Sequence, residues 1–459
     1  MDKRKQNVVF ILADDMGYGD FGLFGDGSSK TPNIDRLCQN GTAFAQYNTA
    51  SPVCSPSRAA ILTGRYPHRT GSIDTLEAYG LDRISLRETL ISQRFKSAGY
   101  STGLIGKWHG GAFHAKYNPL GRGFDEFFGF RGGWSDYFDY NLEDGGKEYE
   151  CKGEYLTELF TKKAVDFIER HKTQPFFLMI TYNAPHWPLQ CPEKYVRQFK
   201  ETGRFSDAVS TIYGMINCMD QGVGQILDAL SAAGITEDTI VVFTSDNGPD
   251  LHGDWNRYNC GLRGEKCYSY EGGIKVPAIV NWPGRVPQNI ITDAYMHGCD
   301  WFPTLLEACG IDAGAGLLID GKSVLPSWLG KSQEYGKQRF WQWNRFTPVT
   351  KCNAAIKDGE WKLVWQANAE AFAMTQRDGE LDSIMKKKET RLTEEEWYDD
   401  SWRTVPPPQK PELFRVSTDP LEECDLYDQQ PEIREKLEKD YERLFDEAEA
   451  ERRLILRYE

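Results

Sequence analysis

A cysteine followed by a short helical pattern is the segment of this chain that most constrains its chemistry. Residues 54–65 read CSPSRAAILTGR. Pro56 lies near the expected first turn and Gly64 follows the last helix formers, so the pattern predicts a short helix with Cys54 at its N-terminal end. That end carries partial positive charge and attracts anions. We interpret Cys54 as a candidate nucleophile; the alternative is a buried cysteine before an ordinary helix.

Four polar clusters follow four predicted strands of apolar residues. The strands are 7–13, 101–106, 176–182 and 239–244. The clusters that follow them are Asp14-Asp15, Lys107-Trp108-His109, residues 183–186 and residues 245–248. Because open α/β sheets bind ligands outside the carboxyl ends of their strands, we expect the four clusters to converge in space.

Two of these clusters supply hard oxygen donors. The donors are the carboxylates of Asp14, Asp15 and Asp246 and the amide oxygen of Asn247. Converging carboxylates repel one another unless a positive charge neutralises them, and such an oxygen set suits Ca²⁺ or Mg²⁺. Taken alone, Asp14-Asp15 could equally cap a helix or face water. Together with Asp246 and Asn247, the pair favours a metal site beside Cys54.

The elements that must position these residues change in character along the chain. Over the first two thirds, apolar runs alternate with helical patterns, which is typical of an α/β sheet covered on both faces. Beyond about residue 338, short strands are predicted at 339–343, 354–356, 361–364 and 412–416, and a last helix at 431–453. Asp358-Gly359 is a hairpin signal. We therefore predict a catalytic domain over residues 1–337 and a smaller subdomain over residues 338–459.

Composition sets broad limits on function. With 459 residues, 40% of them hydrophobic, the chain can form one large domain and a smaller one. The formal net charge of −14 argues against nucleic-acid binding. No apolar run is long enough to span a membrane, and residues 1–7 are too short and polar for a signal peptide. We expect a soluble protein, either cytoplasmic or periplasmic or secreted with its leader removed.

The Cys54 segment resembles the C-x-P-S-R-x-x-x-L-T-G signature of the formylglycine-dependent, or type I, sulfatase family of the alkaline-phosphatase-like superfamily. Further motifs resemble those of the family in the expected chain order: Asp14-Asp15 comes before the Cys54 segment, and Gly106-Lys107-Trp108-His109, Ala184-Pro185-His186, Ser245-Asp246-Asn247-Gly248 and Gly264-Glu265-Lys266 come after it. The resemblance implies an α/β fold with a mostly parallel central sheet flanked by helices. It also implies a smaller C-terminal α+β subdomain with an antiparallel sheet.

The resemblance assigns a role to each matching position. The metal ligands would be Asp14, Asp15, Asp246, Asn247 and the oxidised side chain of Cys54, around Ca²⁺ or, as an alternative, Mg²⁺. The residues around the sulfate would be Arg58, Lys107, His109, His186 and Lys266. Cys54 would be converted to 3-oxoalanine (formylglycine) by a formylglycine-generating enzyme. Glu265 departs from the family, where glycine is common, and this could alter the local turn or charge.

The chemistry implied by the family explains these residue types. One hydroxyl of the formylglycine hydrate attacks sulfur while the substrate alcohol departs, helped by a proton from His186 or by Lys266. His109 then takes the proton of the second hydroxyl, so the aldehyde re-forms and inorganic sulfate leaves. The metal ion and the basic side chains offset the charge of the sulfate ester.

A loop and a few aromatic residues are candidates for substrate contacts. Residues 249–257 lie between the predicted metal ligands and Lys266, so His252, Trp255 and Arg257 would overhang the site. Trp134 could stack on a sugar ring, although large aromatic residues commonly pack in cores. We expect a sulfatase that acts on a sulfated carbohydrate. An aryl or alkyl sulfatase, a phosphonate monoester or phosphodiester hydrolase, and a non-catalytic protein that binds sulfated glycans are the alternatives.

Overall fold

A mixed sheet of ten strands forms the centre of the molecule in this computed structural model, which describes residues 5–336, 338–386 and 392–458. In chain order the strands are β1 (Asn7–Asp14), β2 (Thr42–Asn48), β3 (Ser101–Lys107), β4 (Glu126–Phe130), β5 (Leu142–Asp144), β6 (Lys147–Tyr149), β7 (Phe176–Pro185), β8 (Thr239–Ser245), β9 (Ala278–Asn281) and β10 (Ile290–His297). Across the sheet they lie in the order β10-β2-β9-β8-β1-β7-β3-β4-β5-β6.

The middle of this sheet is parallel, and antiparallel strands flank it. β1 pairs in parallel with β7 and β8, and β3 pairs in parallel with β7 and β4. β9 is antiparallel to β2 and β8, and β5 is antiparallel to β4 and β6. The four predicted strands are therefore confirmed, and their carboxyl ends lie at one edge of the sheet.

Helices cover both faces of the sheet, as the continuous apolar strands require. The α-helices of this part of the chain are α1 (Pro32–Gln39), α2 (Cys54–Thr63), α3 (Pro67–Thr70), α4 (Ile91–Ser97), α5 (Leu156–His171), α6 (Glu193–Lys200), α7 (Asp207–Ala232), α8 (Glu271–Ile274), α9 (Trp301–Ala308) and α10 (Leu325–Trp328). Val9 and Ile11 of β1 pack in one core with α1, α5, α6 and α7, whereas Val8 and Phe10 pack in the other with α2, α4 and α9. Among the described residues, we find no helix with the length and apolar character needed to cross a membrane.

The predicted helix after Cys54 is confirmed as α2. All of its residues are buried. It ends at Gly64, which has a left-handed φ of 71° and donates its backbone N–H to the carbonyl of Ala60 at 2.8 Å. This is the termination that the position of Gly64 predicted.

A second, antiparallel sheet lies in the C-terminal part of the chain. Its strands are β11 (Arg339–Gln342), β12 (Ala354–Asp358), β13 (Trp361–Trp365) and β14 (Glu412–Arg415), and its helices are α11 (Gln376–Lys386) and α12 (Pro431–Tyr458). The predicted hairpin is present, because Asp358 pairs with Trp361 across a turn in which Gly359 has φ of 57°. Leu437 and Tyr441 of α12 pack on this sheet. We keep residue 338 as the proposed start of this subdomain.

Candidate active site

The carboxyl ends of β1, β3 and β8 bring three of the predicted polar clusters together. Asp14 ends β1, and its Oδ2 accepts a hydrogen bond from Nζ of Lys107, the last residue of β3, at 2.7 Å. Both side chains are fully buried. Asp246 follows β8, and its Oδ1 accepts a bond from the backbone N–H of Asp15 at 3.3 Å. The strand ends converge as the parallel order of the sheet requires.

Arg58 joins these strand ends to helix α2. Its Nε donates to Oδ2 of Asp246 at 2.8 Å, and its Nη1 donates to the carbonyl oxygen of Lys107 at 3.2 Å. Arg58 lies about one helical turn after Cys54. The contacts of Arg58 therefore fix the N-terminal end of α2, and with it Cys54, beside the ends of β3 and β8.

Asp15 contacts side chains of three other segments. Asn247 donates through Nδ2 to Oδ1 of Asp15 at 2.7 Å, and Nζ of Lys266 donates to Oδ2 at 2.6 Å. Nε2 of His186, which follows β7, lies 3.8 Å from the same Oδ2. One carboxylate thus connects the loops that carry Asn247, Lys266 and His186.

Two buried oxygen atoms at this centre are suited to a metal ion. Oδ1 of Asp14 and Oδ1 of Asn247 have no hydrogen-bond partner among the described residues. Ligand atoms of Asp14, Asp15 and His186 lie within 4.8 Å of one another. Buried oxygens without a partner are costly, and carboxylate and amide oxygens are the ligands that Ca²⁺ and Mg²⁺ prefer. The residues present therefore fit a divalent ion.

The charges of the carboxyl groups at this centre also fit a divalent ion. Burial opposes ionisation of Asp14, but Lys107 and the other nearby cations hold the pKa of its carboxyl well below the usual range. Burial and the neighbouring Asp14 raise the pKa of Asp246 well above its ordinary value. A divalent cation would favour the ionised form of both carboxyls, which gives a second reason for the fit.

Both histidines of the site are neutral at neutral pH. Burial and Lys107 lower the pKa of His109 to about 3, and burial and Lys266 lower the pKa of His186 to about 4. Nδ1 of His186 lies 2.7 Å from the carbonyl oxygen of Trp187, so this nitrogen carries the proton and Nε2 presents a lone pair to the site. Neither ring nitrogen of His109 has a hydrogen-bond partner among the described residues. These nitrogens are available to a ligand.

The backbone around the site is held in uncommon conformations. Asp15 and His109 have φ values of 65° and 52°, in the left-handed region that non-glycine residues rarely adopt and that is concentrated at functional sites. Gly106, with φ of 117°, precedes Lys107 in β3. A Cβ at Gly106 would lie 2.0 Å from the carbonyl oxygen of Thr181, so only glycine permits the close approach that places Lys107.

Cys54 belongs to the same pocket. It begins α2, about one helical turn before Arg58, and is 3% exposed. The backbone N–H of Cys267 donates to the carbonyl of Pro52 at 3.0 Å, which joins the loop of Lys266 to the segment before Cys54. The predicted residues that the structure gathers here are Cys54, Arg58, Lys107, His109, His186, Lys266, Asp14, Asp15, Asp246 and Asn247.

The predicted substrate contacts are spread over two regions. Trp134 is partly exposed and stacks on Trp187 at a centroid distance of 5.0 Å, and Trp187 stacks on His186 at 5.7 Å. His252 and Trp255 pack against each other at 4.4 Å on the loop after Asn247, where the His252 side chain is 66% exposed. Trp134 is thus connected to the pocket, whereas His252 projects towards solvent.

Arg257 differs from the prediction. Its Nε and Nη2 donate to the carboxylate of Asp20 at 2.8 and 2.7 Å, and Nη2 also reaches the carbonyl oxygen of Asp15 at 3.3 Å. The side chain is 3% exposed, so this buried ion pair supports the backbone of Asp15 instead of presenting a cation to substrate. Glu265 has a similar local role, because its carboxylate accepts the backbone N–H of Leu251 at 2.5 Å.

Glu77 is a neighbour of the site that the sequence did not indicate. Its carboxylate accepts the backbone N–H of Gly133 and lies 3.7 Å from Nε2 of His109. Glu77 begins a short 3-10 helix, Glu77–Tyr79, with no recognisable motif. Only the packing of two distant segments places it beside His109, so no local signal could have identified it.

Arg345 makes another long-range contact that the sequence did not indicate. It follows β11 in the C-terminal part and donates to Oδ1 of Asp74 at 2.9 Å. The C-terminal part of the chain therefore packs against the segment after α3, a contact that the sequence pattern around Arg345 does not indicate.

Comparisons with known proteins agree with this geometry. A family model described as Sulfatase matches residues 6–311, and one described as N-sulphoglucosamine sulphohydrolase, C-terminal, matches residues 263–399. N-acetylgalactosamine-6-sulfatase of Canis lupus familiaris is 35% identical over 357 residues, which cover 71% of this chain and 66% of that protein. Arylsulfatase J of Mus musculus is 28% identical over 460 residues, covering 94% of this chain and 74% of the relative.

A solved structure resembles almost the whole chain. The structure of Ps i-CgsB in complex with k-i-k-neocarrahexaose has a TM-score of 0.81 and 28% identity, and covers 96% of this chain and 93% of its own. The chain spans slightly less than two thirds of the canine relative's length. The Sulfatase model matches more than half of the chain, and every residue gathered in the pocket lies within its bounds. This chain therefore belongs to the sulfatase family, with its alkaline-phosphatase-like fold.

Proposed function

We propose that this protein is a sulfuric ester hydrolase that releases inorganic sulfate from a sulfated carbohydrate, with Cys54 in its formylglycine form. The observation that carries the proposal is the pocket at the start of α2. There, the buried Cys54 begins the helix whose Arg58 bonds the end of β3 at Lys107, and the segment just before Cys54 bonds the loop that carries Lys266. Such a site combines a nucleophile position with the positive charge that a sulfate ester needs.

A metal ion and a modified cysteine complete the proposed site. When bound, Ca²⁺, or alternatively Mg²⁺, would add positive charge at the sulfate oxygens, held by Asp14, Asp15, Asp246, Asn247 and the Cys54 side chain. Formylglycine, made by a formylglycine-generating enzyme, would supply one hydroxyl to attack sulfur and a second whose proton must leave.

Different residues of this chain would transfer protons and neutralise charge. His109 is neutral and its ring nitrogens are unpaired among the described residues, so it can accept the proton of the second hydroxyl. Burial opposes the charge of Lys266, but Asp15 raises its pKa, and Lys266 stays cationic to neutralise the leaving oxygen. His186 becomes a proton donor only when a bound anion raises its pKa.

The carbohydrate part of the proposal has two supports. The relatives include a protein named for the 6-sulfate of N-acetylgalactosamine, and a solved structure holds a neocarrahexaose. In this chain, Trp134 offers a partly exposed ring connected by stacking to His186. Aromatic faces of this kind are suited to sugar rings.

Sulfate release tests the proposal directly. We expect inorganic sulfate from an aryl sulfate and from one or more sulfated sugars, using protein whose Cys54 oxidation is verified by peptide mass. Cys54→Ser and a chelated sample should both be inactive. Release that persists in Cys54→Ser would overturn the formylglycine mechanism.

Two other functions are decided by the same assays. Turnover of phosphonate monoesters or phosphodiesters without sulfate release would identify the related hydrolase activity. Binding of a sulfated glycan without release, despite a verified aldehyde and bound metal, would identify a non-catalytic binding protein.

A further inference from the structure

Glu77 lies beside the histidine to which the proposed function gives the role of proton acceptor. Its carboxylate is 3.7 Å from Nε2 of His109, and the two side chains are 13% and 2% exposed. Within the residues that the structure describes, we find no lysine or arginine paired with Glu77. The negative charge of Glu77 is therefore available to the imidazole of His109.

The loop that follows β4 holds the Glu77 carboxylate in place. Oε1 of Glu77 accepts the backbone N–H of Gly133. A Cβ at Gly133 would lie 2.7 Å from this Oε1 and also 2.7 Å from Cε1 of His109. Only glycine lets the backbone pass this close to both side chains, so the chain at Gly133 fixes the carboxylate and the ring against one surface.

The segment that carries Glu77 also holds the loop of His109. Asp82 lies in this segment, and its Oδ2 accepts the backbone N–H groups of Gly111 and Ala112 at 3.1 and 3.0 Å. These two residues belong to the loop that follows His109 at the end of β3. Hydrogen bonds of one short segment therefore set the position of Glu77 relative to His109.

This segment is tied to the nucleophile helix as well. Ser55, the second residue of α2, follows Cys54 directly. Its Oγ donates to the backbone carbonyl of Asp82 at 3.1 Å and shares a hydrogen bond of 2.8 Å with Oγ of Ser72. The position of Glu77 is thus fixed relative to the start of α2 as well as to the loop of His109.

A proton taken up by His109 creates a positive charge that its surroundings disfavour. Burial and Lys107 lower the pKa of His109, and Arg58 acts in the same direction. Glu77 and Asp14 raise this pKa, but Asp14 also bonds Lys107 at 2.7 Å. Because an opposite charge within about 4–6 Å favours the charged form of a group, the Glu77 carboxylate is placed to stabilise the imidazolium of His109.

We propose that Glu77 is the positioning residue of His109: its carboxylate accepts a hydrogen bond from Nε2–H of the imidazole, which leaves Nδ1 to take the proton of the second hydroxyl. The inference rests on the proposed function and adds a partner to the same site. Catalytic hydrogen bonds often shorten only when substrate binds, and a separation of about 3 Å between Nε2 and the carboxylate would make this one.

The proton transfer is balanced in this arrangement. The proton passes from the hydroxyl oxygen to Nδ1 of His109, and the electron pair of the broken O–H bond forms the carbonyl bond of the aldehyde. Sulfate leaves with the electrons of its C–O bond. The Nε2 proton stays on the ring, so the imidazolium faces the Glu77 carboxylate, as catalytic histidines of other hydrolases face a buried acid.

Glu77→Gln tests the inference with an aryl sulfate. The amide oxygen of glutamine can still accept the N–H of Gly133, whereas the negative charge is lost. Because His109 acts after the attack on sulfur, we expect the steady-state kcat to fall at least about tenfold, while aryl alcohol release in the first turnover changes by less than about threefold. A burst of about one alcohol per matured site should precede the slow turnover.

Glu237→Gln is the matched control for this variant. Glu237, like Glu77, belongs to a short 3-10 helix, but it is exposed and lies just before β8, at the end of that strand away from the site. We expect its kcat to equal that of the unsubstituted protein. Alcohol release in the first turnover also reports whether Glu77→Gln has a folded pocket.

A double variant shows whether Glu77 acts through His109. In a His109→Ala background, Glu77→Gln should change kcat by less than about twofold, because the group that Glu77 positions is already absent. A decrease as large as in the presence of His109 would indicate a structural role for Glu77 and would overturn the inference.

The remaining outcomes separate the inference from the proposed function. A kcat of Glu77→Gln within about threefold of the control would show that Glu77 only supports the loop of Gly133, and the inference would be wrong. An equal decrease in first-turnover and steady-state rates would also contradict it, because Glu77 would then affect the attack on sulfur. Failure of the unsubstituted, matured protein to release sulfate would contradict the proposed function itself, and the inference with it.

Discussion

Lys107 combines structural and chemical roles in one side chain. Its ammonium lies 2.7 Å from Asp14, and both groups are fully buried. Its backbone carbonyl accepts bonds from Arg58 at 3.2 Å and from Thr181 at 2.7 Å. A cation held in this way needs no rearrangement when charge develops on a sulfate ester, which is the condition for strong electrostatic catalysis.

Replacement of Lys107 should therefore affect turnover strongly. We expect Lys107→Ala to lower kcat/KM for an aryl sulfate by at least about 100-fold, because a fixed positive charge is lost from the transition state. Sulfate release is measured on protein with verified Cys54 conversion. Lys162→Ala is the control, since Lys162 is 67% exposed on α5. Activity of Lys107→Ala within about threefold of the control would contradict the role.

Removal of the metal ion tests whether the buried oxygen atoms of the site bind it. Because Oδ1 of Asp14 and Oδ1 of Asn247 are buried and unpaired among the described residues, we expect chelation to lower the melting temperature as well as the activity. Added Ca²⁺ should raise the melting temperature in a concentration-dependent way. Asn247→Ala should weaken this response. A melting temperature that is unchanged by chelation and by Ca²⁺ would exclude a structural metal at this centre.

The residues of the pocket could be predicted from the sequence where they belong to a short motif of neighbouring residues. Cys54 and Asp246 belong to short motifs, and each motif follows a strand or begins a helix. Arg257 lies in such a segment too, but its partner Asp20 is distant in the chain, so its burial could not be foreseen. Glu77 reaches the site only through long-range packing.

At the scale of elements, the nucleophile helix α2 is tied to the last helix of the chain. Arg65, just after α2, binds Glu451 of α12 and donates to Glu88 at 3.2 Å. His68 of α3 lies 2.8 Å from Glu449 of α12. The Arg65–Glu451 ion pair and the His68–Glu449 hydrogen bond connect the C-terminal helix to the segment that follows α2.

Glu88 should make the stability of this region depend on pH. Burial raises the pKa of Glu88 from 4.5 to about 7, although Arg65 favours the charged form. Because the folded pKa exceeds the unfolded one, this contribution to stability is fully present below pH 4.5 and is lost as the pH rises through about 7.

We therefore expect the protein to lose up to roughly 3 kcal/mol of unfolding free energy from this group between about pH 4.5 and pH 8. Glu88→Gln, which cannot ionise, should lack this part of the decrease. Chemical denaturation of both proteins across that range measures the difference between the two curves. Parallel curves would show that Glu88 is ionised in the folded protein over the whole range.

The elements themselves were predicted well where their patterns are strong. The apolar runs of β1, β3, β7 and β8 and the turn at Asp358-Gly359 gave correct positions. The order of the strands across the sheet could not be obtained in this way. It depends on which apolar faces meet, and β9 enters the sheet antiparallel between β2 and β8.

At the scale of the whole molecule, a buried charge cluster joins the two sheets. Nζ of Lys362 in β13 lies 2.8 Å from carboxylate oxygens of both Glu271 and Glu422. Glu271 begins α8, shortly after the loop that carries Lys266, and its backbone N–H donates to Glu422 at 2.7 Å. The position of the C-terminal sheet is thereby coupled to a loop of the active site.

Loss of Lys362 should release this coupling. The side chains of Lys362, Glu271 and Glu422 are between 0% and 3% exposed, so Lys362→Met would leave two carboxylates close together without their cation. We expect a loss of about 3–5 kcal/mol in unfolding free energy, as is typical when one partner of a buried ion pair is removed. Chemical denaturation measures the change.

A second substitution distinguishes charge from packing. In the double variant Lys362→Met, Glu422→Gln, one of the two unpaired carboxylates becomes a neutral amide, so part of the lost stability should return. If lost packing around the lysine stem were the cause, the second substitution would restore nothing. Recovery of stability together with recovery of aryl sulfate turnover would show that the cluster acts on catalysis through the position of the Lys266 loop. Recovery of stability alone would limit the cluster to holding the two sheets together.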